Sequence, residues 1–446
     1  MKKVLVLDRG YSFNYMKSDK FEVICLALSV EGKKYWEERN IKVVGCFEEE
    51  YKNIEGVKIP DNYLQTSWDS DRFLNRRFNF EERRCILGKE IAFVSRILDE
   101  YKPSLILNEV VTIEFMEVLY IEALKRNIPY KTWMIFPSVH KDLWASTPFN
   151  SLPTKDVLNA IPKNVDYEAA REFVDRIKNK HDKPFYINVK YPSNLKNILV
   201  STKSYCTSYF HNFCKQFHGY FNYENYSSLY KNNLKAALGL MFHSYDSYQN
   251  LNSNYEYVFF PLHMEPEAAI SYTGECYGDQ EMLISRISHS LGTNQKLIVK
   301  EHPQQRGVLL TKKYQDLKKK CCNLIYIDAQ VSSYDIFKKM ICMVTLNGTA
   351  GFEALICGKP VILFGNAYYK ECKSSTFCDS FWKLKEMLRE HSYNIPNEDD
   401  LIEFIAKMLT GMTNTFPYLM GDSYNQNDVD NITKQIEEFI FGKNEN

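Results

Sequence analysis

Short, unbroken apolar runs that stop abruptly on polar residues recur along this chain with helical stretches between them, and no other feature of the sequence constrains the fold as much. Lys3–Asp8 (KVLVLD), Phe21–Ser29 (FEVICLALS) and Ile41–Phe47 (IKVVGCF) open the series. Each reads as a strand buried on both faces of a parallel sheet, where continuous rather than alternating apolarity is expected. The polar stretch Lys33–Asn40 and the charged segment Phe80–Tyr101 read as helices. Pro103 then introduces Ser104–Val111, a helix over Glu114–Arg126 and a strand at Tyr130–Phe136. Units of this kind predict a right-handed parallel sheet with helices on both faces.

From about 140 to 254 the pattern changes. Lys, Asn, Tyr and Phe dominate, and helical spacing appears around Tyr167–Asn179 and Asn194–Gly219. Strand-like runs resume at Tyr255 with YEYVFFPL, then Lys296–Val299, Asn323–Ile327, Ile341–Thr345 and Pro360–Phe364, with helices over Gln280–Leu291, Lys312–Cys321, Tyr334–Met340 and Thr349–Cys357 between them. The reading is an α/β protein in three parts: residues 1–140 a Rossmann-like domain, 141–254 a helical insertion, and 255–446 a second Rossmann-like domain. A chain of 446 residues needs more than one core, because single cores stop growing near about 250–300 residues. The last residues, Asn444-Glu445-Asn446, are expected to be disordered.

Composition narrows the function classes. With 56 Lys+Arg against 56 Asp+Glu, nothing in the overall charge calls for a nucleic-acid partner. Twelve cysteines are scattered without a CxxC spacing and read as reduced thiols of a cytosolic protein rather than a disulfide framework or zinc site. The apolar run after Met1-Lys2-Lys3 ends at Asp8-Arg9, too short for a signal peptide, and no stretch reaches the roughly 18 apolar residues of a membrane span. The expected location is therefore cytoplasmic, with any membrane contact peripheral and at the inner face.

Chemistry-bearing residues cluster where the second set of strands ends. In Ile341–Gly365 (ICMVTLNGTAGFEALICGKPVILFG) a strand meets a glycine turn, a short helix and another strand. Gly348 and Gly351 are expected to permit backbone angles and close approach that a β-carbon forbids, while the helix starting near Thr349 aims free N–H groups at the turn. Asn347 and the Thr349 hydroxyl lie in the same turn, and Glu353, one turn on, is placed to accept from ribose hydroxyls. The competing reading is tight strand-to-helix packing alone. The spacing is not that of a P-loop. In Lys296–Pro303 (KLIVKEHP), Lys300 and His302 again follow a strand, and Pro303 biases His302 toward a loop. A third cluster, FFPLHMEPEAAISYTGECYGDQ, carries His263, Glu265, Glu267 and Asp279, suited to positioning a sugar or serving as a base if burial tunes them. His263, Glu265, Glu267 and His302 match no standard zinc spacing, so no metal is expected. In the first half Asp8-Arg9-Gly10, Asn108-Glu109 and Pro137-Ser138-Val139-His140 follow strands, and Glu109 is an acceptor-side candidate whose alternative reading is a neighbour of a helix cap.

FFPLHMEPEA, YGDQ, VKEHP and NGTAGFEALICGKPVILFGNAYY, in this order, resemble the bacterial capsular polysaccharide biosynthesis proteins, a group similar to the β-Kdo transferases of capsule assembly. The resemblance covers residues 255–370 well and residues 1–140 only in general pattern. It implies a GT-B fold, two Rossmann-like domains whose parallel sheets face a cleft, and a nucleotide-sugar-dependent glycosyltransferase that needs neither metal nor further cofactor. It implies donor binding by His302 on the phosphate, Asn347, Gly348 and Thr349 in the phosphate turn and Glu353 at the nucleoside, and places His263 and Glu267 near the reacting sugar; the reading of the residues themselves adds Lys300 and Gly351 to the donor site and Glu109 as the third catalytic candidate. Met264-Glu265-Pro266 stands where a Gln-Pro pair is frequent. The implied donor is a CMP-activated ulosonic acid such as Kdo, and the implied acceptor a glycan or lipid-linked glycan. Two alternatives remain open at this level: a UDP-sugar enzyme of the N-acetylglucosamine 2-epimerase type, and a non-catalytic glycan-binding subunit of capsule export.

Overall fold

Burial on both faces drives the apolar runs into two six-stranded sheets. In a computed structural model, residues 1–9, 16, 18–75, 77–136, 139, 141–147, 149, 158, 165–180, 193–274, 277–415 and 425–442 are described. The candidates Gly10, Pro137, Ser138 and His140, and the tail 444–446, lie outside them.

The chain divides into two compact units, one comprising Met1–Asp156, Phe210–Asn225 and Gly411–Asn446, the other Val157–Tyr209 and Tyr226–Thr410. The first sheet contains β1 (Lys2–Leu7), β2 (Phe21–Ala27), β3 (Lys42–Cys46), β4 (Leu105–Glu109), β5 (Tyr130–Ile135) and β6 (Asp142–Ala145). Its strand order is β3-β2-β1-β4-β5-β6, parallel except for β6, which runs antiparallel to β5. The second contains β7 (Glu256–Pro261), β8 (Gln295–Lys300), β9 (Leu324–Ile327), β10 (Met340–Thr345), β11 (Val361–Leu363) and β12 (Thr376–Phe377), in the order β12-β11-β10-β7-β8-β9, all parallel. Both units thus have the doubly wound Rossmann order. In each, connections leave the first strand and the fourth on opposite sides, which opens a crevice at the carboxyl ends of β1/β4 and of β7/β10.

The boundaries differ from those expected. The C-terminal helix Gln426–Phe441 buries Val429, Ile432 and Ile436 in one cluster with Val4, Val6, Cys25 and Trp36 of the first sheet. The final residues therefore complete the first unit, not the second. The segment 141–254 is not a single insertion: Asp142–Ala145 extends the first sheet, Phe210–Asn225 packs with the first unit, and the helices Tyr167–Lys180 and Ser227–Phe242 belong to the second. Phe173 of the former stacks near Phe352, their ring centroids 6.3 Å apart.

Among the described residues eleven cysteines are free, no group of three or more His, Cys, Asp or Glu is arranged to hold a metal ion, and no helix is long and apolar enough to cross a membrane.

Candidate functional site

The second sheet ends its two central strands on the residues that carry chemistry. β7 stops at Pro261 and hands the chain to His263; β10 stops at Thr345 and hands it to Asn347 and Gly348. β8, the next strand out, ends at Lys300 and is followed by Glu301 and His302. The three loops leave neighbouring strands at the same sheet edge.

His263 is buried, its Nε2 3.5 Å from the Thr345 hydroxyl. A β-carbon added to Gly348 would stand 3.1 Å from the same nitrogen, so the imidazole lies directly against the glycine turn. Gly348 has φ −66° and ψ 149°, a conformation open to any residue. The expectation that it relieves backbone strain is corrected: what the glycine provides there is space, since a β-carbon would press on the His263 ring and push it back by a few tenths of an ångström. Gly348 is also the N-cap residue of the helix Thr349–Ile356, to which it offers no side-chain cap, so the N-terminal end of that helix starts at this turn. Thr349 and Glu353 are half-buried on this helix, and Asn347 is buried beneath it.

Gly351 has a different explanation from the one its motif suggested. A β-carbon there would fall 2.0 Å from the Tyr369 hydroxyl, and that hydroxyl donates to the Gly348 carbonyl at 2.8 Å. The glycine makes room for a tyrosine that pins the turn, so internal packing alone accounts for the missing β-carbon. Gly358, by contrast, has φ +72° and ends the helix in the left-handed conformation that glycine favours.

Two glutamines that the sequence did not single out hold the His263 loop. Gln280, buried at the start of the helix Gln280–Ser290, accepts from the His263 N–H at 2.7 Å and donates to the His263 carbonyl at 3.1 Å. It also donates to a Glu265 carboxylate oxygen at 2.9 Å. Gln305 repeats the arrangement on Glu265, accepting from its N–H at 2.7 Å and donating to its carbonyl at 2.5 Å. A carboxamide holds an acceptor oxygen and a donor nitrogen side by side, so one glutamine can satisfy the N–H and the C=O of the same residue.

Several of the charged residues around the site are structural. Glu301 is buried and accepts from Tyr245 Oη at 2.5 Å, Gly307 N at 2.5 Å and Leu309 N at 2.6 Å; burial nevertheless pushes its carboxyl up to about 7. It folds the loop after β8. Arg306 ties the same loop to the end of β9 through a two-pronged pair with Asp328, at 2.8 and 2.7 Å. Asp279 caps the helix Gln280–Ser290, accepting from Glu281 N at 3.1 Å and Met282 N at 3.2 Å. Glu267 is half-buried two residues after Glu265, and its carbonyl accepts from the Ser271 hydroxyl at 3.1 Å.

Burial pushes the His263 imidazole down to about 4, and His302 nearby adds to the effect. Burial and then Lys300 hold His302 down to about 4 as well. Both rings are neutral at pH 7, so the cationic contribution here comes from Lys300. Neutrality fixes the tautomer of His302: its Nδ1 accepts from the Gln304 N–H at 3.2 Å, so the proton resides on Nε2, which is a donor. Lys300, an N–H-bearing imidazole and a helix start gathered at one sheet edge form an arrangement suited to anionic oxygen.

Glu109 sits elsewhere, at the end of β4 in the first unit, where it lies 3.8 Å from Arg9. Arg9 also reaches Glu224 at 2.5 Å and the Thr112 hydroxyl at 3.2 Å. Glu109 is thus part of a charged cluster at the crevice of the first sheet. Asp8, before Arg9, accepts from Leu28 N and Ser29 N, both at 3.1 Å, and is structural.

Comparison with known proteins gives the following. No curated protein sequence matches the chain. Among solved structures, the chain is similar to the β-Kdo 2,7 transferase of Thermosulfurimonas dismutans KpsC, with 15% identity over 74% of this chain and 87% of that one and a TM-score of 0.38. It is also similar to the UDP-GlcNAc 2-epimerase of Neisseria meningitidis bound to UDP-GlcNAc, with 13% identity over 98% of this chain and 100% of that one and a TM-score of 0.32. The model of the family described as capsule polysaccharide biosynthesis protein matches residues 190–373. That span holds His263, Glu267, Lys300, His302, the Asn347–Gly351 turn and Tyr369, so the part of the chain that carries the candidate site is the part similar to the capsule polysaccharide biosynthesis proteins.

Proposed function

We propose that this chain is a metal-independent glycosyltransferase of capsule polysaccharide synthesis, moving a Kdo-like ulosonic acid from a CMP-activated donor to a glycan or lipid-linked glycan acceptor. One observation carries the reading: a neutral, buried His263 lies against the Gly348–Thr349 turn, where a helix begins at the topological switch point of the second sheet, the place where doubly wound folds bind their ligands.

In this reading Asn347, Gly348 and Thr349 cradle the donor phosphate, and Lys300 and His302 flank it. Glu353 faces the nucleoside. As the glycosidic bond breaks, negative charge builds on the departing phosphate, and the ammonium of Lys300, the Nε2–H of His302 and the helix start stabilise it without rearrangement. Glu267 is assigned as the base that takes the acceptor hydroxyl proton. His263, too weak a base at a value of about 4, acts as a neutral hydrogen-bonding group beside the reacting sugar. The choice of CMP and of an ulosonic acid rests on the resemblance of the motifs.

The test is turnover. Supplied with CMP-Kdo and a capsule-type oligosaccharide, the protein is expected to release CMP with acceptor present, and Glu267→Gln to abolish release. Conversion of UDP-N-acetylglucosamine without any acceptor, with no use of CMP-Kdo, would overturn the proposal in favour of an epimerase.

A further inference from the structure

The helix Asn194–Phe217 is amphipathic in the wrong sense for a helix of a water-soluble protein. Leu195, Leu199, Cys206, Tyr209, Phe210, Phe213 and Phe217 recur at intervals of three and four residues or their multiples, which places them along one face. That face is turned outward: Leu195 is 67% exposed, Leu199 63%, Phe210 67%, Phe213 59% and Phe217 79%. The opposite face is polar and turned inward. Ser201 and Lys215 are buried, Ser208 meets Ser227 at 3.2 Å, Asn212 Nδ2 donates to Asn225 at 3.2 Å, and Lys215 pairs with Glu48 at 2.7 Å and Glu31 at 2.8 Å. The helix is thus tied down by hydrogen bonds and ion pairs and shows its apolar side to solvent over about 30 Å.

The helix Ser227–Phe242 repeats the pattern. Asn194 Nδ2 donates to the Leu240 carbonyl at 3.0 Å, so together with the Ser208–Ser227 contact the two helices run antiparallel. The second buries Ala236, Ala237 and Gly239 and exposes Lys231, Lys235, Leu238, Met241 and Phe242. Neither helix contains an Asp or a Glu, whereas Lys196, Lys203, Lys231 and Lys235 are all exposed.

We propose that this pair of helices docks the protein on an anionic lipid surface, the aromatic and aliphatic stripe entering the headgroup region and the four lysines meeting lipid phosphates. Charge decides among the occupants. An amphipathic helix with lysines and no carboxylates on its exposed side is complementary to an anionic bilayer. A second copy of the same face offers its lysines only other lysines. The inference stands apart from the donor chemistry, since none of its residues belongs to the donor site.

The test is co-sedimentation of the full chain with vesicles of phosphatidylcholine alone and of an equimolar mixture of phosphatidylcholine and phosphatidylglycerol. Binding is expected only to the mixture, weakening with added salt. The double substitution Leu199→Glu/Phe213→Glu, at exposed positions, is expected to reduce binding by at least about tenfold while leaving the thermal midpoint unchanged. Each of Lys196→Gln, Lys203→Gln, Lys231→Gln and Lys235→Gln is expected to weaken it about fivefold. The proposal is overturned if the wild type stays in solution with both vesicles, if it binds both equally, or if light scattering finds a dimer that the double substitution dissolves and vesicle binding is absent. The last result assigns the stripe to a second copy.

Discussion

The Gln280 carboxamide and the His263 backbone hold one another in two directions, the side-chain oxygen accepting at 2.7 Å and the nitrogen donating at 3.1 Å. That pair sets where the imidazole stands relative to the Gly348 turn. Gln280→Leu leaves a buried N–H and C=O unbonded, and each such orphan costs on the order of 1–3 kcal/mol. The expected outcome is a stability loss of about 2–4 kcal/mol by urea unfolding, with nucleotide affinity lowered further than stability alone explains.

Gly351 and Tyr369 form a second coupled pair. Gly351→Ala sets a methyl 2.0 Å from the tyrosine hydroxyl, and overpacking of this kind costs on the order of 1–3 kcal/mol. Tyr369→Phe removes the obstructing oxygen. In a double-mutant cycle the two changes should therefore couple favourably, the Gly351→Ala loss shrinking in the Tyr369→Phe background. Strictly additive losses would show that the glycine is required for another reason.

How much of this was legible in the sequence varies by residue. The central strands were readable because burial on both faces writes them as continuous apolar runs, and the motif residues at their ends followed from strand position. β6 was not, since DLWA (Asp142–Ala145) is short and polar at one end. The placement of Gln426–Phe441 was also out of reach: its apolar face is evident, but which of two similar sheets it covers depends on tertiary packing far along the chain. The Tyr369 neighbour of Gly351 was not legible, because close approach to a ligand and to a tyrosine leave the same mark in a sequence. Gln280 and Gln305 left none, because a polar residue chosen for two simultaneous backbone bonds looks like any surface glutamine.

The packing of that last helix gives a further outcome. Ile432 is fully buried against the first sheet, so Ile432→Ala is expected to cost about 2–5 kcal/mol. Tryptophan fluorescence from Trp36, Trp133 and Trp144, all in the first unit, should report the earlier unfolding. If the substitution is neutral, the helix does not complete that core.

Acid should weaken the protein through its histidines. His263 and His302 have values of about 4 in the folded chain against 6.5 as ordinary imidazoles. Between those limits the unfolded chain takes up protons that the folded chain refuses, so the stability present above pH 6.5 is lost as pH falls toward 4. His263→Gln removes one such group. The wild type should lose up to about 3 kcal/mol more than the variant between about pH 7 and pH 4, read from urea midpoints. Parallel curves would contradict a buried neutral imidazole at this position.

The central claim is that the turn at Gly348, with Lys300 and His302 beside it, binds the phosphate of a nucleotide-sugar donor. Titration calorimetry with CMP and with UDP tests it most directly. At least one nucleotide should bind the wild type, and two variants should each weaken that binding by about tenfold or more while the protein stays folded: His302→Ala by losing a hydrogen bond to a charged group, and Gly348→Val by filling the turn with a side chain that presses on His263. If neither nucleotide binds, or if both variants bind as tightly as the wild type, the donor phosphate does not sit at this sheet edge.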